Sequence, residues 1–174
     1  MKIAIGCDHS GLALKETIKN YLDSRMILYE DFGTFTSESS DYPRIAELVS
    51  KAILSGQFDR GILICGTGIG MSIAANKFPG IRAAAVSEPY SAILARRHNN
   101  ANVLCFGARV VAGGLATLIT EGWLNASFEG DRHQRRVDMI TRIEQRNLLP
   151  GVENHNNLSD ESPVEPPTED TDLP

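Results

Sequence analysis

The chain has 174 residues, with 42% hydrophobic and 22% charged side chains and a formal charge of −5. This length suits one domain with a substantial core, and the composition is ordinary for a globular protein. The charge is split: residues 150–174 carry seven acids and no Lys or Arg, leaving a net +2 on residues 1–149, which argues against a nucleic-acid binder driven by bulk charge.

In chain order, Ile3–Cys7 reads as a buried strand running into Asp8-His9-Ser10-Gly11. Leu14, Ile18, Tyr21 and Leu22 then recur at helical spacing, and Met26–Phe32 reads as a second strand closed by Gly33. Ile45, Leu48, Val49, Ala52 and Ile53 follow the pattern of a helix with one buried face. Gly61–Cys65 is a third strand, followed by the turn Gly66–Gly70 and a short helix over Ser72–Lys77 that Pro79-Gly80 stops. Arg82–Val86 is a fourth strand, Glu88–Arg97 a helix and Val103–Phe106 a fifth strand. Gly113–Leu124 and Asp131–Arg146 are two closing helices.

Alternating helices and near-continuous apolar strands predict an α/β fold with a parallel sheet covered on both faces. The expectation is a three-layer αβα sandwich around a doubly wound, Rossmann-like five-stranded sheet, with ligands outside the carboxyl ends of the strands. Residues 1–149 form the expected domain. Five of the eight prolines fall in residues 150–174 with few apolar residues, so that stretch is expected to be a disordered acidic tail. No apolar run approaches the ~20 residues that span a bilayer, and the apolar start is too short for a secretory signal. Three cysteines without a CxxC pair suit a reducing, cytoplasmic setting and give neither a disulfide framework nor zinc spacing.

The sharpest local pattern is Ile64-Cys65-Gly66-Thr67-Gly68-Ile69-Gly70-Met71-Ser72. A buried strand enters a glycine turn and then a helix, so backbone N–H groups converge into an anion cradle. It is not a Walker loop, because it lacks the lysine. Met71 stands where a dinucleotide fingerprint needs its third glycine and where a cysteine-phosphatase loop needs its arginine. Cys65 sits at the strand–loop junction, where a thiol facing a helix N-terminus gains thiolate character, whereas Cys7 and Cys105 read as core residues. His9 closes the first strand and His98-Asn99 the helix after the fourth, so two histidines and a thiol converge on one sheet edge.

In the last helix, Arg132 and Arg136 share a stripe with Ile140 and Ile143. This predicts that both arginines face the body and meet either a phosphate or a core carboxylate, while Arg135, Arg142 and Arg146 face solvent. Arg109, just after the fifth strand, is a third candidate for an anion. A phosphate clamp, a thiol, two histidines and N–H donors suit proton transfer beside a carbonyl. No metal-ligand spacing appears, so no metal is expected.

Gly6-Cys7-Asp8-His9, Ser40-Asp41-Tyr42-Pro43, Ile64–Lys77, Ser87-Glu88-Pro89-Tyr90, Arg97-His98-Asn99, Phe106-Gly107-Ala108-Arg109 and Arg132-His133-Gln134-Arg135-Arg136-Val137 together resemble the type B ribose-5-phosphate isomerases, a family that includes galactose-6-phosphate and allose-6-phosphate isomerases. The resemblance spans about the first 147 residues. It implies interconversion of ribose 5-phosphate and ribulose 5-phosphate without a cofactor, with a six-carbon aldose phosphate as the alternative substrate. A non-catalytic phosphosugar sensor is a further alternative, opposed by the retention of every catalytic residue type. By position, Cys65 would be the base and His98 the ring-opening acid. Thr67 and the amides of Gly66, Gly68, Ile69 and Gly70 would hold the enediolate. Asp8, Tyr42 and Asn99 would contact the sugar, and His9, Arg109, Arg132 and Arg136 the phosphate. Some members carry a carboxylate at the position of Met71 and lack the cysteine; this chain resembles the cysteine branch. The resemblance also implies a homodimer or homotetramer with sites at the dimer interface, bringing His98, Asn99 and Arg109 of one subunit to the other's loop.

Overall fold

The computed structural model describes residues 1–148. Five strands, β1 (Lys2–Cys7), β2 (Leu28–Asp31), β3 (Arg60–Cys65), β4 (Ala83–Ala85) and β5 (Val103–Gly107), form one parallel sheet in the order β2-β1-β3-β5-β4. Six α-helices accompany them: α1 (Leu12–Ser24), α2 (Tyr42–Leu54), α3 (Ile69–Ala75), α4 (Pro89–Asn99), α5 (Gly113–Asn125) and α6 (Asp131–Leu148). A 3₁₀ turn at His9–Gly11 leads into α1. The expected doubly wound α/β sandwich is what forms. The expected tail, residues 150–174, lies outside the described residues.

Strand side chains alternate between the two faces, as the pleat requires. Ile3, Ile5, Cys7, Ile62, Ile64, Leu104 and Phe106 pack with Leu14, Ile18 and Leu22 of α1, Ala92 of α4, and Ala116, Ile119 and Trp123 of α5. Ala4, Leu63, Cys65, Val103 and Cys105 pack with Ala46 and Val49 of α2 and Met71 and Ala75 of α3. Each large side chain buried in this way contributes about 1.5–3 kcal/mol. Helix α6 lies outside this arrangement, against α4. Among the described residues, no helix is long and apolar enough to cross a membrane.

Register aligns the carboxyl ends: Cys7 pairs with Ile64, and Cys65 pairs with Gly107. The pairing continues past the strands, with the N–H of Ala108 donating to Cys65 O at 2.8 Å and that of Arg109 to Gly66 O at 3.1 Å. A Cβ at Gly107 would come within 2.4 Å of Thr67 Cα. The bare backbone there lets β5 buttress the loop after β3.

Several boundaries differ from the sequence expectation. Gly68, at φ +80, adopts the left-handed conformation and starts α3 at Ile69 rather than Ser72. Met26, at φ 53, turns out of α1, so β2 begins at Leu28. Helix α4 is capped by Glu88, which accepts from the N–H groups of Tyr90 and Ser91, and runs through His98 and Asn99 to a left-handed Asn100. These two residues therefore lie in its last turn and not beyond it.

The expected orientation of α6 is overturned. The buried residues of this helix are His133 and Val137, and Thr141 and Glu144 continue that face half-buried. Arg132 and Arg136 are exposed, as are Ile140 and Ile143 at 49% and 51%. The two isoleucines share the arginines' stripe, but the body covers the neighbouring one.

Candidate active site

Connections leave β1 and β3 in opposite directions along the sheet, so the gap between their carboxyl ends is the topological switch point where such folds bind ligands. A cleft of about 460 Å³ opens there. Asp8, His9 and Ser10 line it from the end of β1, and Tyr42 from the start of α2. Cys65, Gly66, Thr67, Ile69 and Gly70 come from the β3–α3 junction, and Arg109 from beyond β5.

Cys65 is 5% exposed, and the N–H of Gly68 donates to its Sγ at 3.1 Å. The left-handed turn at Gly68 aims that N–H, and a Cβ there would come within 2.7 Å of Phe106 Cα. Thr67 Oγ1 accepts from the N–H of Ile69 at 3.4 Å, which leaves the hydroxyl proton free to donate into the cleft. Two of the loop N–H groups expected to face a ligand, those of Gly68 and Ile69, thus have partners inside the loop. The other two thiols are core groups: burial pushes the Cys7 thiol up to about 11 and also pushes up that of Cys105.

Asp8 is 6% exposed, and its Oδ1 accepts from both the N–H and the hydroxyl of Ser10, at 2.9 and 2.6 Å. Ser40 holds His9 at two points: His9 N–H donates to Ser40 Oγ at 3.1 Å, and Ser40 N–H donates to His9 Nδ1 at 3.2 Å. Tyr42 lies over Gly70. Arg109 stands beside Gly66 in the same chain, so the expectation that a second subunit delivers it is corrected. Backbone pairing with the β3 loop carries it there.

The remaining candidates lie elsewhere in the chain. His98 stacks on His133 with ring centroids 4.1 Å apart and planes 4° from parallel. Glu129 Oε2 lies 3.5 Å from the Nε2 of each ring. Asn99 lines a second, more apolar cleft of about 370 Å³ with Arg82, Ile140 and Glu144. Arg132 donates its Nε–H to His133 Nε2 at 3.4 Å, and Arg136 is exposed on the same helix. His98, Asn99, Arg132 and Arg136 are thus gathered near the contact of α4 with α6, and none lines the Cys65 cleft of its own chain. Ser10, Ser40, Glu129 and His133 went unassigned in the sequence. The Asp8-x-Ser10 spacing of an Asx turn was the available signal for Ser10; the fold joins Ser40 to His9 at the cleft, and Glu129 and His133 to His98.

A family model described as Ribose/Galactose Isomerase matches residues 3–140. The chain is 57% identical over 145 residues to ribose-5-phosphate isomerase B of Escherichia coli, covering 83% of this chain and 97% of that protein. Among solved structures, ribose-5-phosphate isomerase B of Clostridium thermocellum aligns with a TM-score of 0.83 at 51% identity, covering 84% of this chain and 99% of the other. Ribose-5-phosphate isomerase B of Mycoplasma genitalium, solved with bound ribulose-5-phosphate, aligns with a TM-score of 0.78 at 44% identity, covering 83% and 96%.

Proposed function

The chain belongs to the ribose/galactose isomerase family, and from that premise we propose that it interconverts ribose 5-phosphate and ribulose 5-phosphate at the cleft around Cys65. The observation that carries this reading is one buried thiol, with an N–H donor on its sulfur, facing the same cleft as His9 and Arg109. That arrangement sets a base beside an anion clamp.

Ribose 5-phosphate enters as a furanose. A proton delivered to the ring oxygen and one lost from the C1 hydroxyl break the C1–O bond and form the aldehyde; His98 is the acid in this step. Cys65, as thiolate, then takes the proton from C2, and the electron pair moves to the carbonyl oxygen on C1. The Thr67 hydroxyl and the loop amides free to donate meet this enediolate oxygen, where donors stabilise the charge only as it develops. The proton returns from Cys65 to C1, a proton passes from O2 to O1, and the ketone stands at C2. Carbon-bound hydrogen is conserved and the step is redox-neutral overall. His9 and Arg109 hold the phosphate, Arg109 through the planar fork that matches it, and Asp8 and Tyr42 contact the sugar.

His98, Asn99, Arg132 and Arg136 complete the site from a second copy of the chain. What supports this is their position outside their own chain's cleft, together with the partial exposure of His98 and the exposure of the other three. The working unit is at least a homodimer, with the cleft at its interface.

The reading is tested by a coupled assay on ribose 5-phosphate and allose 6-phosphate side by side. A higher kcat/KM is expected for the pentose. A clear preference for the hexose would overturn the choice of sugar, and no turnover of either would overturn the enzyme.

A further inference from the structure

The segment between α5 and α6 carries Glu129, and α4 grips it tightly. Arg97 binds Glu129 Oε1 through both Nε and Nη2. The N–H of Glu129 donates to Arg97 O at 3.0 Å. Backbone and carboxylate are therefore both tied to the residue that precedes His98. The second carboxylate oxygen, Oε2, is aimed at the stacked imidazoles, 3.5 Å from each Nε2.

His98, Glu129 and His133 bring their ligand-capable atoms within 4.8 Å of one another, so the group invites reading as a metal site. The stack argues against it. An ion bonds an imidazole along its in-plane lone pair, and rings 4° from parallel with centroids 4.1 Å apart have lone pairs that run side by side. An ion in the plane of one ring lies far out of the plane of the other.

The groups around the pair favour a different role. His133 is buried, and its Nε2 accepts from Arg132 Nε–H at 3.4 Å. Burial, followed by the charges of His98 and Arg132, pulls His133 below the ordinary histidine range, and Arg136 adds to this. His133 is thus a neutral platform. His98, half-buried on top of it, is the ring that faces outward. With its Nε2 turned to Glu129, its Nδ1 is the nitrogen left to deliver a proton.

We propose that Glu129 is a positioning residue for His98: the Arg97-held carboxylate and the His133 ring fix the His98 imidazole so that Nδ1 points to the ring oxygen of the substrate. This rests on the reading of His98 as the ring-opening acid. A second-row carboxylate behind an imidazole is a common way to set ring orientation.

The test separates ring opening from enolisation. Ribulose 5-phosphate is open-chain, because its phosphate occupies the oxygen that would close a furanose. Exchange of its C1 hydrogen with solvent deuterium, followed by NMR, therefore reports the Cys65 step without His98. Glu129→Gln is expected to lower kcat on ribose 5-phosphate by about 10- to 100-fold, to leave KM within about two-fold, and to leave C1 exchange at the wild-type rate. Glu129→Asp should recover part of the lost kcat. Arg97→Gln, which frees the carboxylate without removing it, should reproduce the same split. Equal losses in both assays, or wild-type kcat for Glu129→Gln, would overturn the proposal. If wild-type protein exchanges the C1 hydrogen but does not turn over ribose 5-phosphate, the fault lies with the functional reading and not with Glu129.

Discussion

Ser40 fixes what His9 can offer a ligand. Because His9 Nδ1 accepts the Ser40 N–H, a neutral His9 carries its proton on Nε2, the nitrogen free to reach an anion. A hydrogen bond to a charged group is worth about 1.5–3 kcal/mol, which corresponds to roughly 10- to 100-fold in affinity. His9→Asn is expected to raise KM for ribose 5-phosphate by about that factor while kcat falls less than about three-fold, because the proposed role of the group is to bind the phosphate and not the reacting carbons. Steady-state kinetics checks this. An equal loss carried entirely by kcat would move His9 into the proton-transfer chemistry.

At the scale of elements, the segment from β2 to α2 is what brings Ser40 and Tyr42 to the cleft. It is anchored by a buried pair: Lys15 Nζ, on a side chain 1% exposed, meets Asp31 Oδ1 at 2.9 Å and donates to Thr34 O at 2.8 Å. Asp31 Oδ1 also accepts from the Gly33 N–H at 3.0 Å. Asp31→Ala would leave the Lys15 charge without its carboxylate, a loss typically worth about 3–5 kcal/mol. Urea unfolding should show it; a change below about 1 kcal/mol would contradict the account. This anchor could not be read from sequence, because Lys15 sits on an amphipathic helix where lysine is ordinarily solvated. The strands were legible, since β1, β3 and β5 are near-continuous apolar runs with both faces covered. The Cys65 loop was legible as well, because three glycines between a strand and a helix leave few other backbone geometries. The face of α6 was not: Ile140 and Ile143 stand four and seven residues after Arg136 and mimic a core stripe, whereas the body selects His133 and Val137. Periodicity names the stripes of a helix, but tertiary packing chooses among them.

For the whole molecule, the net charge of −5 says little about the substrate. Among the described residues, the groups proposed for the phosphate stand in two places, His9 and Arg109 at the Cys65 cleft and Arg132 and Arg136 exposed on α6. Sheet register and the switch point explain the first group. In the proposed homodimer the second group would meet the substrate bound by another copy of the chain, as a two-fold interface would do reciprocally. Mixing two variants tests this central claim most directly. Cys65→Ala and His98→Asn are each expected to lose ribose 5-phosphate isomerisation by about 10²- to 10⁴-fold. After co-refolding in equal amounts, hybrid dimers would hold one site with both residues intact, restoring about a quarter of the wild-type sites. Recovery to that level is the predicted result. Activity no greater than the sum of the separate variants would contradict a site shared between two chains.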